Sequence, residues 1–357
     1  MNQKERELFR SLCSFRSEES DSGLTEAATP EVLGQLFFNR MAGVAYGTLE
    51  KRGMTGSVNR EFRNSLRDAN IQNTVKNRSF FRCIQSLEEL LSGAGVPYAM
   101  LKGAYLCSLY PEGYRTSNDI DLLVLPEDVT AIGKVLSEDG FRQGSVKNGK
   151  FVPAARKEII GSRMMRGETV PYIREVGLPF MKFLEVDINF SLDYRPDDSG
   201  LTAEMLAGSA LRDAGEYRVR TLAEDDFFIH LCAHLYKEAT ALPWVVMKRD
   251  MTLYKYCDIY LLLEVTPAAG IDRIFGRAKK LGMEKICAFA ILQTAELFRL
   301  HNGYAVMCAE SVLNSDPDFI HTVVSPAEKK RYVYTERDIS ERFFAGDRRG
   351  LLRGVNE

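Results

Sequence analysis

The chain has 357 residues, 45% of them hydrophobic and 27% charged, a balance that buries a sizeable core and excludes global disorder. Its 47 basic and 49 acidic residues leave a formal net charge of -2, so no global positive field draws in nucleic acid or an anionic membrane. Seven cysteines without a CxxC pair, a charged N-terminus and no apolar run of roughly 20 residues predict free thiols and a soluble, cytoplasmic protein.

In chain order, apolar residues recur at helical spacing from Pro30 to Gly53, and again from Val58 to Leu91 before Gly93 and Gly95 end the run. Residues 1–95 therefore read as a helical lobe. Val96–Leu101 and Asp119–Leu125 read as short strands, with Gly103–Tyr110 a helix between them and Pro126–Glu138 a helix after. Glycines, prolines and charges interrupt residues 141–180, where only Thr169–Val176 has strand texture and GSVKNG at 144–149 reads as a hairpin or turn. Phe183–Leu192 alternates, with Glu185, Asp187 and Asn189 on one face. From Ala223 strand signals vanish, and the last thirty residues, dense in both charge signs, read as a solvated helix or tail. The expected domains are 1–95, a mixed α+β unit at 96–200, and a helical lobe with charged tail at 201–357.

The informative stretch is LKGAYLCSLYPEGYRTSNDIDLLV, residues 101–124. Asp119 and Asp121 lie two apart on a predicted strand, so their carboxylates leave the same side. Such a pair repels itself unless a cation lies between, and hard oxygen donors suit Mg²⁺. Gly103 sits where a strand turns into a helix, a geometry that aims backbone N–H groups at a phosphate, and Lys102 and Arg115 add charges of the sign a triphosphate needs. In-line attack at phosphorus uses one metal for the incoming hydroxyl and one for the phosphates, which asks for a third carboxylate on a neighbouring strand. Asp187 in LEVDIN fits.

The order LKG, then RxxxDIDLLV, then EVDIN resembles the nucleotidyltransferase superfamily that shares the DNA polymerase β palm. More narrowly it resembles the bacterial uncharacterised nucleotidyltransferase family, over roughly residues 30 to 265. The resemblance implies a palm with a small mixed sheet flanked by N-terminal and C-terminal helical lobes, with Asp119 and Asp121 as ligands of two Mg²⁺ ions. It makes Asp187 the third ligand beside the acceptor hydroxyl and Gly103 the phosphate-contacting turn. The superfamily places a serine after that glycine; here Ala104 offers no hydroxyl, and Lys102 is the group available to substitute. LKG with RxSxDxD also resembles toxin-type enzymes that modify tRNA ends, and Ser117 keeps the serine two before Asp119. A histidine on one helix and an aspartate on the next recur in the family, matching His234 and Asp258 as nucleotide or acceptor contacts.

The expected activity is transfer of a nucleoside monophosphate from an NTP, ATP first, to a hydroxyl of a small-molecule or peptide acceptor. Pyrophosphate is the expected leaving product. The rivals are a toxin-type enzyme acting on tRNA or protein, an inactive nucleotide-binding scaffold, and a metal-dependent hydrolase centred on His230, His234 and Glu238, which lie four apart on a helix. The basic run Lys147, Lys150, Arg156, Lys157, Arg163 and Arg166 reads as a solvated excursion, which sets nucleic acid behind a small acceptor gripped near Tyr105, Tyr110 or Trp244.

Overall fold

The computed structural model describes residues 1–18, 22–165, 167–192, 200–325 and 328–355. Four helices open the chain: α1 (Gln3–Cys13), α2 (Pro30–Phe38), α3 (Ala42–Lys51) and α4 (Arg60–Ser92). Asn2 and Glu5 close a reciprocal capping box on α1, and Thr29 caps α2 with Pro30 in its first turn. The single helix expected over 30–53 is thus two. Asn39 at the break is buried, donating to Gln35 O at 3.0 Å and accepting from Leu253 N–H at 3.1 Å, and Arg40 follows at φ 58°. A side chain that bonds the backbone in this way competes with the helix, and apolar spacing carries no trace of it.

Next come β1 (Tyr98–Met100), α5 (Gly103–Leu109), β2 (Asp119–Val124), α6 (Val129–Glu138), β3 (Arg142–Lys147), β4 (Lys150–Pro153), α7 (Arg156–Met165), β5 (Tyr172–Leu178) and β6 (Met181–Asn189). A short helix α8 (Leu201–Ala207) and the hairpin β7 (Ala210–Asp213) and β8 (Arg218–Thr221) follow. Within 141–180 the hairpin expected at 144–149 is two paired strands joined at Asn148 and Gly149, both at positive φ as a tight hairpin turn requires. The strand expected at Thr169–Val176 is β5, and the helix α7 between them was not expected. Arg166 of the basic run lies outside the described residues.

Six of these strands form one sheet in the order β1-β2-β6-β5-β3-β4, in which β2 and β6 run parallel and the other pairs antiparallel. The fold class is therefore mixed α and β with a mixed sheet. One face is apolar: Ile120, Leu122 and Val124 of β2 and Leu184, Val186 and Ile188 of β6 are buried against Phe80, Ile84 and Leu87 of α4. Each such side chain contributes about 1.5–3 kcal/mol on burial. A slip of one residue in either strand would turn its apolar set to the other face, so this core holds the register on which the polar face depends.

The remaining elements are α9 (Glu224–Ala239), α10 (Leu242–Val246), α11 (Leu253–Val265), α12 (Ala268–Lys280), α13 (Glu284–Leu297), α14 (Gly303–Leu313), β9 (Thr322–Ser325), β10 (Lys330–Tyr334), α15 (Ile339–Phe344) and β11 (Leu352–Val355). The end of the chain is not a solvated tail: β11, β10 and β9 form an antiparallel sheet in that order, and Arg342 and Arg348 are buried. Asp250 takes the Arg348 guanidinium with both carboxylate oxygens, at 2.7 to 3.0 Å, and Arg342 lies 4.5 Å from the Tyr334 ring. Arg348 is paired internally and Arg342 lies over a ring, so both charges fold inward, whereas local composition reports only that they are many. Packing divides the chain into two compact units, Met1–Asn70 with Phe228–Glu357, and Ile71–Phe227. Among the described residues no helix is long and apolar enough to cross a membrane.

Candidate active site

The polar face of the sheet in Ile71–Phe227 is set by the parallel pairing of β2 with β6. Asp119 is the Cα partner of Glu185, Asp121 of Asp187, and Leu123 of Asn189. Because Ile120, Leu122, Val186 and Ile188 fill the core, these alternate residues leave the opposite face together. The three acids singled out in the sequence are thus brought side by side, with Glu185 as a fourth. Glu185 and Asn189 lay on the same predicted face as Asp187, yet only the pairing register shows that they flank Asp119 and Asp121.

The turn between β1 and α5 meets this face. Lys102 Nζ lies 2.8 Å from Asp121 Oδ1, and Asn189 Nδ2 donates to the same oxygen at 3.4 Å. Lys102 holds φ 48° and ψ -120°, a conformation that costs a non-glycine residue about 1–3 kcal/mol. Two hydroxyls hold the backbone around it: Tyr217 donates to Ala104 O and Thr221 to Met100 O, each at 2.7 Å. Gly103 is required by crowding, since a Cβ there would stand 2.6 Å from both Cβ and Oγ of Ser117. Ser117 in turn donates to Asp119 Oδ1 at 2.8 Å. The loop carrying Arg115 and Ser117 is tied to α4, where Asn73 donates to Gly113 O at 3.0 Å and Asn77 to Arg115 O at 2.8 Å.

Charge on this face is divided unevenly. Burial pushes the Asp187 carboxyl well above the usual carboxylate range, and the charges of Asp121 and Asp119 add to it. Burial also raises Asp121, against the pull of Lys102. For Asp119 the upward push of burial is outweighed by the Ser117 hydrogen bond and by Lys102 and Arg115, which leave it lowered. Burial works against the Lys102 ammonium, but Asp121, Asp119 and Asp187 more than offset it, so Lys102 stays charged. Crowded carboxylate oxygens of raised proton affinity are donors that a hard divalent cation suits. As the side chains stand, no three His, Cys, Asp or Glu among the described residues converge to hold an ion, and the cation against Asp121 is Lys102.

Paired acids on adjacent strands beside a strained, glycine-dependent turn agree with a family match covering residues 25–299, whose description is uncharacterised nucleotidyltransferase. The chain belongs to this nucleotidyltransferase family. Its general reaction is transfer of a nucleotidyl group. The nucleotidyltransferase is also similar to the crystal structure of an antigenic nucleotidyltransferase-like protein from Paracoccidioides brasiliensis. The identity is 12%, the match covers 58% of this chain and 92% of that one, and the TM-score is 0.33. No curated protein matches it significantly.

The other expected contacts belong to the unit Met1–Asn70 with Phe228–Glu357. His234 Nε2 lies 3.3 Å from Glu238 Oε1, and the Glu238 carboxylate also pairs with Lys255. Lys255 Nζ stands 5.3 Å from the Trp244 ring, which gives that side chain a cation to cover. The Glu238 carboxylate is thus shared between His234 and Lys255. Asp258 is buried on α11. In the sheet unit Tyr110 is buried and Tyr105 packs edge-on against Phe227, ring centroids 5.2 Å apart.

Proposed function

We propose that this nucleotidyltransferase binds an NTP, ATP first, with two Mg²⁺ ions and moves its nucleoside monophosphate to a hydroxyl of a small-molecule or peptide acceptor. The observation that carries this reading is the cross-strand pairing of Asp121 with Asp187, with Asp119 two residues along the same face. The mixed sheet bearing these acids supports a polymerase β-like palm at 96–200, within the compact unit Ile71–Phe227. Asp119, Asp121 and Asp187 are the residues that would hold the ions. When bound, Mg²⁺ offsets phosphate charge and makes the acceptor hydroxyl more acidic.

The chain's own side chains divide the remaining work. Lys102 and Arg115 offset the triphosphate, and the phosphate contact of the turn falls to the Gly103 N–H and Lys102, since Ala104 N–H already donates to Leu101 O. Ser117 fixes the rotamer of Asp119. Asp187, as the ionised carboxylate, takes the acceptor proton, and the burial that raises its proton affinity favours that transfer. The acceptor oxygen then bonds to the α-phosphorus, the bond from that phosphorus to the bridging oxygen of the β-phosphate breaks, and pyrophosphate leaves. Alignment and electrostatics supply the rate, with no covalent enzyme intermediate. His234 and Asp258 stay in this reading as nucleotide or acceptor contacts. A reducing, cytoplasmic setting is part of it, supported by seven free cysteines.

The test is incubation of the purified chain with α-labelled ATP, Mg²⁺ and fractionated cell extract. Label should enter one fraction with release of pyrophosphate. Asp121→Asn should abolish transfer while circular dichroism stays unchanged, and His230→Asn should stay within about tenfold of wild type. Wild-type turnover by Asp121→Asn would remove the metal role assigned here.

A further inference from the structure

Two strands beyond the acids, backbone register brings one cation, Arg142, to the same face of the sheet. Backbone pairing carries one line across four strands, because Asp119 on β2, Glu185 on β6, Ile173 on β5 and Arg142 on β3 are successive Cα partners. Beside the far end of that line lies a cavity of about 240 Å³. Four cationic residues line it: Arg142, Lys150, Arg174 and Lys182. Its apolar lining is Ile173, Phe151 and Phe183, and its acid is Glu175. Arg174 is paired with Asp139, and Lys182 lies 3.8 Å from Glu175 while donating to Gly149 O at 3.1 Å. Among the described residues Arg142 and Lys150 have no carboxylate partner, and the Arg142 guanidinium rests 4.3 Å from the Phe151 ring centroid. In a chain of net charge -2, two uncompensated cations at one cavity stand out as a feature for an anion.

Strand order says which substrate the cavity serves. The turn at Lys102 and Gly103 adjoins β1 and β2, on one side of the acid pair, whereas β5 and β3 lie on the other side, beyond Asp187. An NTP at the turn leaves the Asp187 side for the acceptor. From Glu185 on β6 to Arg142 on β3 is two strand spacings, about 10 Å, and Asp187 lies two residues, about 7 Å, further along β6. A guanidinium beside an ammonium is a donor set for phosphate oxygens.

We propose that this cavity binds a phosphate group of the acceptor, so that the acceptor is a phosphate ester whose hydroxyl reaches Asp187 while Arg142 and Lys150 hold its phosphate. This rests on the reading of Asp187 as the acceptor-side acid. The acceptor phosphate is a handle and does not react: the new bond joins the acceptor hydroxyl oxygen to the α-phosphorus of the NTP, and pyrophosphate leaves. A monoester of a small molecule and a diester of RNA share this chemistry.

The experiment is calorimetric titration of the full chain, without NTP, with inorganic phosphate, glycerol 3-phosphate and a short oligoribonucleotide. Wild type and Asp121→Asn should bind at least one of these equally. Replacing Arg142→Gln and Lys150→Gln together should weaken that binding about tenfold or more. Lys134→Gln, whose side chain pairs with Glu138 away from the cavity, should leave it unchanged. Lys150→Glu alone should also abolish binding, which keeps the test decisive should the double variant fail to fold. Binding of glycerol 3-phosphate would make the source a small molecule, and salt-steep binding of the oligoribonucleotide alone would make it RNA. Absence of binding by all three probes, or binding that survives both the double variant and Lys150→Glu, would overturn the proposal. Loss of nucleotidyl transfer with phosphate binding intact would instead overturn the reaction and leave the cavity assignment standing.

Discussion

The carboxyl of Asp187 is pushed upward by burial and by Asp121 and Asp119, so its charged form costs the folded state free energy that the unfolded chain does not lose. Between the ordinary carboxylate value and the raised one, the folded state binds more protons than the unfolded state, and stability falls as pH rises through that window. Asp187→Asn removes this contribution. Without divalent ions, the variant should melt above wild type near neutral pH, and the difference should shrink toward about pH 4. Mg²⁺ should raise the wild-type midpoint at neutral pH and raise that of Asp187→Asn less. Thermal unfolding across pH, with chelator and with Mg²⁺, checks both, and an unchanged midpoint difference across pH would show that Asp187 carries no such penalty.

At the scale of elements, the turn between β1 and α5 holds a strained Lys102 in place through Tyr217, Thr221 and the close approach of Gly103 to Ser117. Gly103→Ala should destabilise the chain by about 1–3 kcal/mol, because the new methyl group must displace Ser117. Adding Ser117→Gly makes room. The double variant should regain most of that stability yet still transfer poorly, because the hydrogen bond from Ser117 to Asp119 is gone. Urea unfolding and steady-state kinetics on the two variants separate the packing role of Gly103 from the orienting role of Ser117. The limits of β2, α5 and α4 were legible from period and punctuation to within a few residues. The break at Asn39 and the strands β3 and β4 were not, since one depends on a buried amide reaching Leu253 and the others on β3 pairing with β5 and β4 with β3.

For the whole molecule, the C-terminal sheet and its buried arginines make the last residues part of a folded unit. Asp250→Ala would leave the Arg348 guanidinium buried without its carboxylate, at a cost of about 3–5 kcal/mol. Pairing Asp250→Leu with Arg348→Met should cost much less, because both charges then leave together. Denaturant unfolding of the single and double variants measures the coupling. Equal costs for the two would mean that the pair does not anchor this region. Composition alone, with Arg337, Arg342, Arg348 and Arg349 among Glu336, Asp338 and Asp347, describes a solvated surface equally well.

By itself the sequence determined the strands and helices over residues 96–138 and the strands near 169–176 and 183–192, and that Asp119 and Asp121 leave one side of a strand while Asp187 alternates with core residues on another. These are local properties, carried by side-chain period and by glycine and proline. Only the tertiary structure decided that β2 runs parallel to β6 in the register that sets Asp121 beside Asp187, that Lys102 closes on Asp121, and that Arg142 lies in line with Asp119 across four strands. Such pairings join residues tens of positions apart. They are set by which apolar faces can be buried together, and no local period in the chain carries that information.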